Sequence, residues 1–124
     1  MRAVIDTGIF ESGLISRRGS TGAVLPALRD GKFKAIYSTE TLLEIIDVLG
    51  REKFRSKYRI EPDDITVLVN LIRLRGDIVI PYQEVRICRD PQDNKFLEVA
   101  VAGEVDFLVS GDLDRVRFSL GGNQ

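Results

Sequence analysis

The chain of 124 residues has no histidine and a single cysteine. Imidazole is the usual general base near neutral pH and the commonest metal-binding side chain. Its absence therefore excludes Ser-His-Asp and Cys-His nucleophile systems. Cys88, standing alone, excludes an intramolecular disulfide and a cysteine-rich zinc site, which leaves a buried, inert thiol as the default. No run of about 18 or more apolar residues occurs, and Met1-Arg2 leads straight into a short apolar strand with no stretch of signal-peptide type. The expectation is a protein of the reducing cytoplasm with no membrane partner. Neither sign of charge dominates: 19 acidic residues face 18 basic ones, for a net charge of -1. Bulk electrostatics thus neither favours nor excludes nucleic acid, and a polyanion would have to meet a local basic patch. If there is catalysis, carboxylates must carry it.

What is present is ordinary for a globular chain. The hydrophobic fraction is 44%, and the length suits one core, so residues 1–124 are expected to form a single domain. Ala3-Val4-Ile5 is strand-like and ends at Asp6, and Phe33 to Tyr37 is a second such run ending at Ser38 and Thr39. Between them Ser20 to Leu28 reads as a helix stopped by Asp30-Gly31, with Pro26 inside it. From Glu40 to Arg51 the set Leu42, Leu43, Ile45, Ile46, Val48 and Leu49 leaves Glu40, Glu44, Asp47 and Arg51 on a polar stripe, the pattern of an amphipathic helix. Pro62, Asp63 and Asp64 open a helix to about Arg75, closed by Gly76. Asp77 to Ile80 is a third strand, Asp90-Pro91 begins a helix to Gly103, and Asp106 to Ser110 is a fourth strand. This β-α-β alternation predicts a mostly parallel sheet covered by helices.

In open parallel sheets, ligands bind outside the carboxyl ends of the strands. Asp6 terminates the first strand, Glu44 lies in the first turns of the helix after the second, Asp93 starts the helix before the fourth, and Asp112 follows that strand in Val109-Ser110-Gly111-Asp112. Four carboxylates converging on one edge repel one another unless a divalent cation neutralises them. Oxygen donors without nitrogen or sulfur select magnesium or manganese, one ion or two, and the chemistry favoured is phosphodiester hydrolysis. Each carboxylate also has a structural reading. Asp90 can be an N-cap with Pro91 at the first helical position and Asp93 facing the dipole. Thr41 to Glu44 fits a capping box, and Asp112 can cap a short helix from Leu113 to Val116. Asp6 differs, because a carboxylate directly after a central apolar strand needs compensation.

Taken together, these stretches resemble the PIN-domain ribonucleases, and more narrowly the VapC-like toxins of toxin–antitoxin pairs. The resemblance rests on Val4-Ile5-Asp6-Thr7, on Leu42 to Leu49 around Glu44, on Arg89-Asp90-Pro91-Gln92-Asp93 running on to Gly103, and on Asp106 to Asp114. It implies a three-layer α/β/α PIN-like fold with a central, mostly parallel sheet of four to five strands. It also implies a magnesium- or manganese-dependent endoribonuclease whose acidic quartet is Asp6, Glu44, Asp93 and Asp112, with Asp114 assisting the metal and Thr7, Ser110 and Asp90 in support. The partners implied are RNA, a cognate antitoxin and a second copy of the chain. Position 8, commonly asparagine in this family, is Gly8, so a polar contact that would orient Asp6 is expected to be missing. The chain also stops at Gln124, where similar proteins continue into a fifth strand. The alternation from Val116 to Leu120 suits a short edge strand, without which that flank would be covered by a partner or left exposed.

Arg51, Lys53, Arg55, Lys57 and Arg59 place five positive charges in nine residues, interrupted by Glu52, Phe54 and Tyr58. The run suits a phosphate backbone with a ring available for stacking, or equally a solvated helix face or loop. The helix from Pro62 to Arg75 carries Val67, Leu68, Val69, Leu71, Ile72 and Leu74, more apolar surface than one packed face requires. Deep burial accounts for it most simply, and a dimer or antitoxin contact is the sharper alternative. Asp6-Thr7-Gly8 also matches the triplet of aspartic proteases, but those are all-β and this chain is strongly helical. A PIN-like fold that binds RNA or a partner without cutting is the remaining alternative, favoured by Gly8 and the short C-terminus.

Overall fold

The computed structural model describes residues 1–16, 22–82, 91–110 and 117–119, with 91–93 and 117–119 described through their backbone alone. Cys88, Asp90, Asp112 and Asp114, together with Arg17-Arg18 and the helix anticipated from Leu113 to Val116, lie outside the described residues.

Strands β1 (Arg2–Ile5), β2 (Lys34–Tyr37), β3 (Gly76–Ile78) and β4 (Phe107–Val109) form an all-parallel set, and β5 (Arg117–Ser119) closes one flank. The order across the sheet is β3-β2-β1-β4-β5, with β5 antiparallel to β4. The alternation from Val116 to Leu120 therefore does supply the fifth strand. Among the described residues six helices connect or cover the strands: α1 (Thr7–Ile15), α2 (Val24–Arg29), α3 (Thr39–Leu49), α4 (Glu52–Tyr58), α5 (Pro62–Arg75) and α6 (Pro91–Ala102).

The sheet is apolar on both faces because both are covered, as parallel sheets require. Alternate residues of β1 and β2 point opposite ways. Ala3, Ile5, Ala35 and Tyr37 join Phe10, Leu28, Ile45, Leu49, Leu68 and Ile72 on one face. Val4, Ile36 and Leu108 join Phe96, Val99 and Ala100 of α6 on the other. Three layers result, as the resemblance implied.

The amino edge of the sheet is tied by one side chain. Arg2 donates from Nε to the Gly103 carbonyl at 3.0 Å and from Nη1 to Asp77 at 3.0 Å, while its backbone N–H reaches Asp106 at 2.9 Å. Hydrogen bonding from Arg2, with Lys34 beside it, holds the Asp77 carboxyl below its usual range. This anchor also fixes the direction of α6. Its C-terminal end at Gly103 meets the start of β1, and the helix packs on β1, β2 and β4. Twelve residues at about 1.5 Å each then carry its first turn toward the opposite, carboxyl edge.

Three expectations change. α1 was not anticipated, and α2 begins at Val24 rather than Ser20. Pro26 is tolerated there because the first four N–H groups of a helix have no intrahelical partner. Deep burial of α5 does not hold: Ile65, Leu68 and Ile72 are buried, whereas Val67 is 64% and Leu74 75% exposed. Only one face of that helix meets the core.

Candidate active site

At the carboxyl edge β1 ends in Asp6, and the chain turns directly into α1. Asp6 is 4% exposed and has extended backbone geometry, as an N-cap requires. Its Oδ1 accepts the Ile9 backbone N–H at 3.0 Å, satisfying one of the unpaired donors of the first turn. Its Oδ2 accepts a short hydrogen bond from the Ser110 hydroxyl, which sits just past β4 and is itself buried. The backbone N–H of Asp6 meets the Val109 carbonyl at 3.1 Å, so the β1–β4 ladder holds the two ends side by side. Two donors on opposite oxygens fix the plane of the carboxylate. The orienting contact expected to be missing at Gly8 is thus supplied by Ile9 and Ser110. A β-carbon at Gly8 would meet Asp6 Oδ1 at 3.5 Å, an ordinary contact.

Thr7, also buried, donates its hydroxyl to Glu44 Oε2 at 3.1 Å. This bond joins the first turn of α1 to α3 across 37 positions of sequence. Glu44 is half-buried, and the capping role read for it goes to other residues. Ser38 accepts the Thr41 N–H at 3.1 Å while Thr41 Oγ1 accepts the Ser38 N–H at 2.9 Å, a complete capping box one turn earlier. Because Thr41 closes the cap, Glu44 is released to face Thr7.

The site residues therefore divide. Asp6, Thr7, Glu44 and Ser110 are brought together at the ends of β1 and β4 and on α3. Asp93 lies in the first turn of α6, whose direction takes that turn toward the same edge. Among the described residues no three potential metal-ligating side chains form a group. The donor chemistry nevertheless suits a hard divalent cation: two carboxylates oriented by neutral hydroxyl and amide donors, in a chain without imidazole. The orienting roles of Ile9 N–H and of the Ser38–Thr41 box were not anticipated. An N-cap signal at Asp6 was the available clue to the first.

The basic stretch forms α4, with Arg51 just before it and Arg59 as its C-cap. Arg51 pairs with Asp47 at 2.9 Å, and Arg55 is half-buried with its Nε on the Ile60 carbonyl at 3.4 Å. Lys53, Lys57 and Arg59 are exposed. On the other side, Leu14, Leu25, Pro26, Val67, Leu68 and Leu71 line an open groove of about 320 Å³ between α1, α2 and α5.

A buried carboxylate just past the first parallel strand, followed by a threonine whose hydroxyl donates to a glutamate on a neighbouring helix, defines an acidic-edge α/β protein. The chain belongs to the PIN-domain family, whose model matches residues 2–114 and whose members are generally nucleases. It is 30% identical over 116 residues to a protein of Methanocaldococcus jannaschii described as uncharacterised, covering 94% of this chain and 74% of that one. No solved structure gives a significant match. No helix among the described residues is long and apolar enough to cross a membrane.

Proposed function

We propose that the protein is an endoribonuclease that hydrolyses RNA phosphodiester bonds with magnesium or manganese held by Asp6, Glu44, Asp93 and Asp112, and with Asp114 assisting. The observation that supports this reading most is the buried Asp6 carboxylate, fixed through both oxygens and joined through its neighbour Thr7 to Glu44. Burying a carboxylate costs several kcal/mol unless something compensates it, and a cation at the strand ends would do so. When bound, the cation supplies charge that offsets the carboxylates and the phosphate oxygens.

The chain's own residues do the positioning. Ile9 and Ser110 hold the Asp6 plane, and Thr7 sets the Glu44 rotamer. With no imidazole in the chain, carboxylate oxygens are the proton acceptors at hand. Preorganisation of this kind is effective because the groups need not reorganise as charge develops.

Thr7→Val should lower cleavage about ten-fold, roughly the loss of one orienting hydrogen bond, and Thr7→Ser should recover most of it. Equal rates for valine and serine variants would remove Thr7 from the site. The test of the reading itself is a panel of single-stranded and structured RNAs and matched DNA, with magnesium, manganese or chelator. The expected result is internal cleavage of RNA with either metal and none in chelator; intact RNA under every condition contradicts it.

The toxin reading has one further support. Val67, Leu71 and Leu74 recur at i, i+4 and i+7 along α5, beside the apolar groove. Such a seam suits a helix of a protein partner, and an antitoxin would fill it. The second copy expected from the resemblance is tested by the mass of the protein in solution.

A further inference from the structure

Helix α4 breaks two local rules at once. Five basic residues against one acidic in nine positions repel one another, and the helix ends on Arg59 with φ 55°, the left-handed region that a side chain disfavours. Glycine is the common residue at such an end. An arginine at a strained position, with its side chain exposed, points to work for the guanidinium.

The five charges are not equivalent. Arg51 and Arg55 are engaged within the protein. Among the described residues Lys53, Lys57 and Arg59 make no ion pair, and all three are exposed. Lys57 Nζ lies 5.3 Å from the centre of the Tyr58 ring, and that ring lies 5.3 Å from Phe54, which packs on the core. The ring contact restrains the ammonium group, lowering the entropy lost when it meets an anion. No buried side chain lies on α4, and its apolar residues are Phe54, turned to the core, and Tyr58, 38% exposed. There is no apolar face to enter a lipid surface.

We infer that α4 is a docking surface for single-stranded RNA, separate from the cutting site, with Lys53, Lys57 and Arg59 as its phosphate contacts. The ligand class rests on the ribonuclease reading above; the surface itself does not. Glu44 and Arg51 are seven positions apart along α3 and its exit, about 10 Å at helical rise. A strand engaged at Glu44 is therefore within a few nucleotides of α4. Substrates too short to span that distance lose the contact.

The test is the affinity of the whole chain for a labelled oligouridylate, measured in chelator over a range of salt. The variant Lys53→Gln/Lys57→Gln/Arg59→Gly should bind roughly 10- to 100-fold more weakly at low salt. Its plot of log affinity against log salt should be shallower by about 2, because each single-strand phosphate contact contributes about 0.7 to that slope. Arg59→Gly alone should weaken binding several-fold with a melting temperature at or above wild type, a combination that misfolding would not produce. Arg73→Gln, an exposed charge on α5, should change neither slope nor affinity.

An unchanged slope in the triple variant overturns the proposal. So does a loss at Arg73 equal to that per α4 charge, or α4-dependent binding to anionic phospholipid vesicles with none to RNA. If RNA stays uncut with every metal while α4 still governs binding, the ribonuclease reading fails and the docking surface stands.

Discussion

Gly76→Ala should leave little folded protein at temperatures the wild type tolerates. Gly76 joins the end of α5 to β3, and a β-carbon there would overlap the carbonyl oxygens of Ala35 and Ile72. Both obstacles are backbone atoms, one in the paired strand β2 and one in the last turn of α5, so no side chain can turn aside. Relief would require β3 to leave β2 or the end of α5 to unwind. Overpacking of this kind costs about 3 kcal/mol, a large share of the roughly 5–15 kcal/mol that stabilises a domain. Thermal unfolding followed by circular dichroism should show a drop of roughly 10 °C or more. Gly8→Ala is the contrast, since its β-carbon meets only an ordinary contact and alanine favours the helix by about 0.5–1 kcal/mol. A Gly76 variant as stable as wild type would mean that β3 is not seated as described.

Asp6→Asn should lose about a thousand-fold in RNA cleavage, some 4 kcal/mol of transition-state stabilisation, and remain folded. Asparagine keeps an oxygen that can accept the Ile9 N–H, so the N-cap of α1 survives. Its amide can donate to the Ser110 hydroxyl, which rotates from donor to acceptor. What disappears is the negative charge, and with it the attraction for a divalent cation. Asp6→Ala is the less informative change, because it also removes the cap, worth about 1 kcal/mol, and the oxygen that accepts from the Ser110 hydroxyl. A melting temperature within a few degrees of wild type beside the lost cleavage separates chemistry from folding. Cleavage at the wild-type rate would place the reaction elsewhere.

Much of the frame was legible because the signals were strong. The bounds of α5 follow from Pro62 at its first position, two acidic residues in its first turn and Gly76 at its end. The strands β1 and β2 show as short apolar runs ended by Asp6 and by Ser38. Gly76 looks in the sequence like a helix stop, but its reason is the close approach of three backbone segments, which only packing reveals. α1 is hard to see in the sequence because Gly8 and Gly13 lower its helix propensity and because Asp6 serves at once as its N-cap and as a candidate site residue.

In the candidate site, strand ends pointed to Asp6 and Ser110. The Thr7–Glu44 bond depends on how α1 lies against α3, which no local pattern encodes. The capping alternative for Glu44 falls for a related reason: Thr41 can sit at either end of a capping box, and here it closes the one opened by Ser38 at the end of β2. In the basic run, the sequence could not separate the arginines held by Asp47 and Ile60 from the three exposed cations.

In the function proposed above, Asp6 and Glu44 both help to hold the divalent metal that RNA hydrolysis requires. The most direct measurement is single-turnover RNA cleavage by wild type and Glu44→Gln as magnesium is raised from chelated to saturating. Wild type should show no cleavage in chelator and a rate that saturates with metal, and the Glu44→Gln curve should be shifted at least ten-fold to higher magnesium. Superimposable metal curves for the two proteins, or cleavage that persists in chelator, would contradict the account.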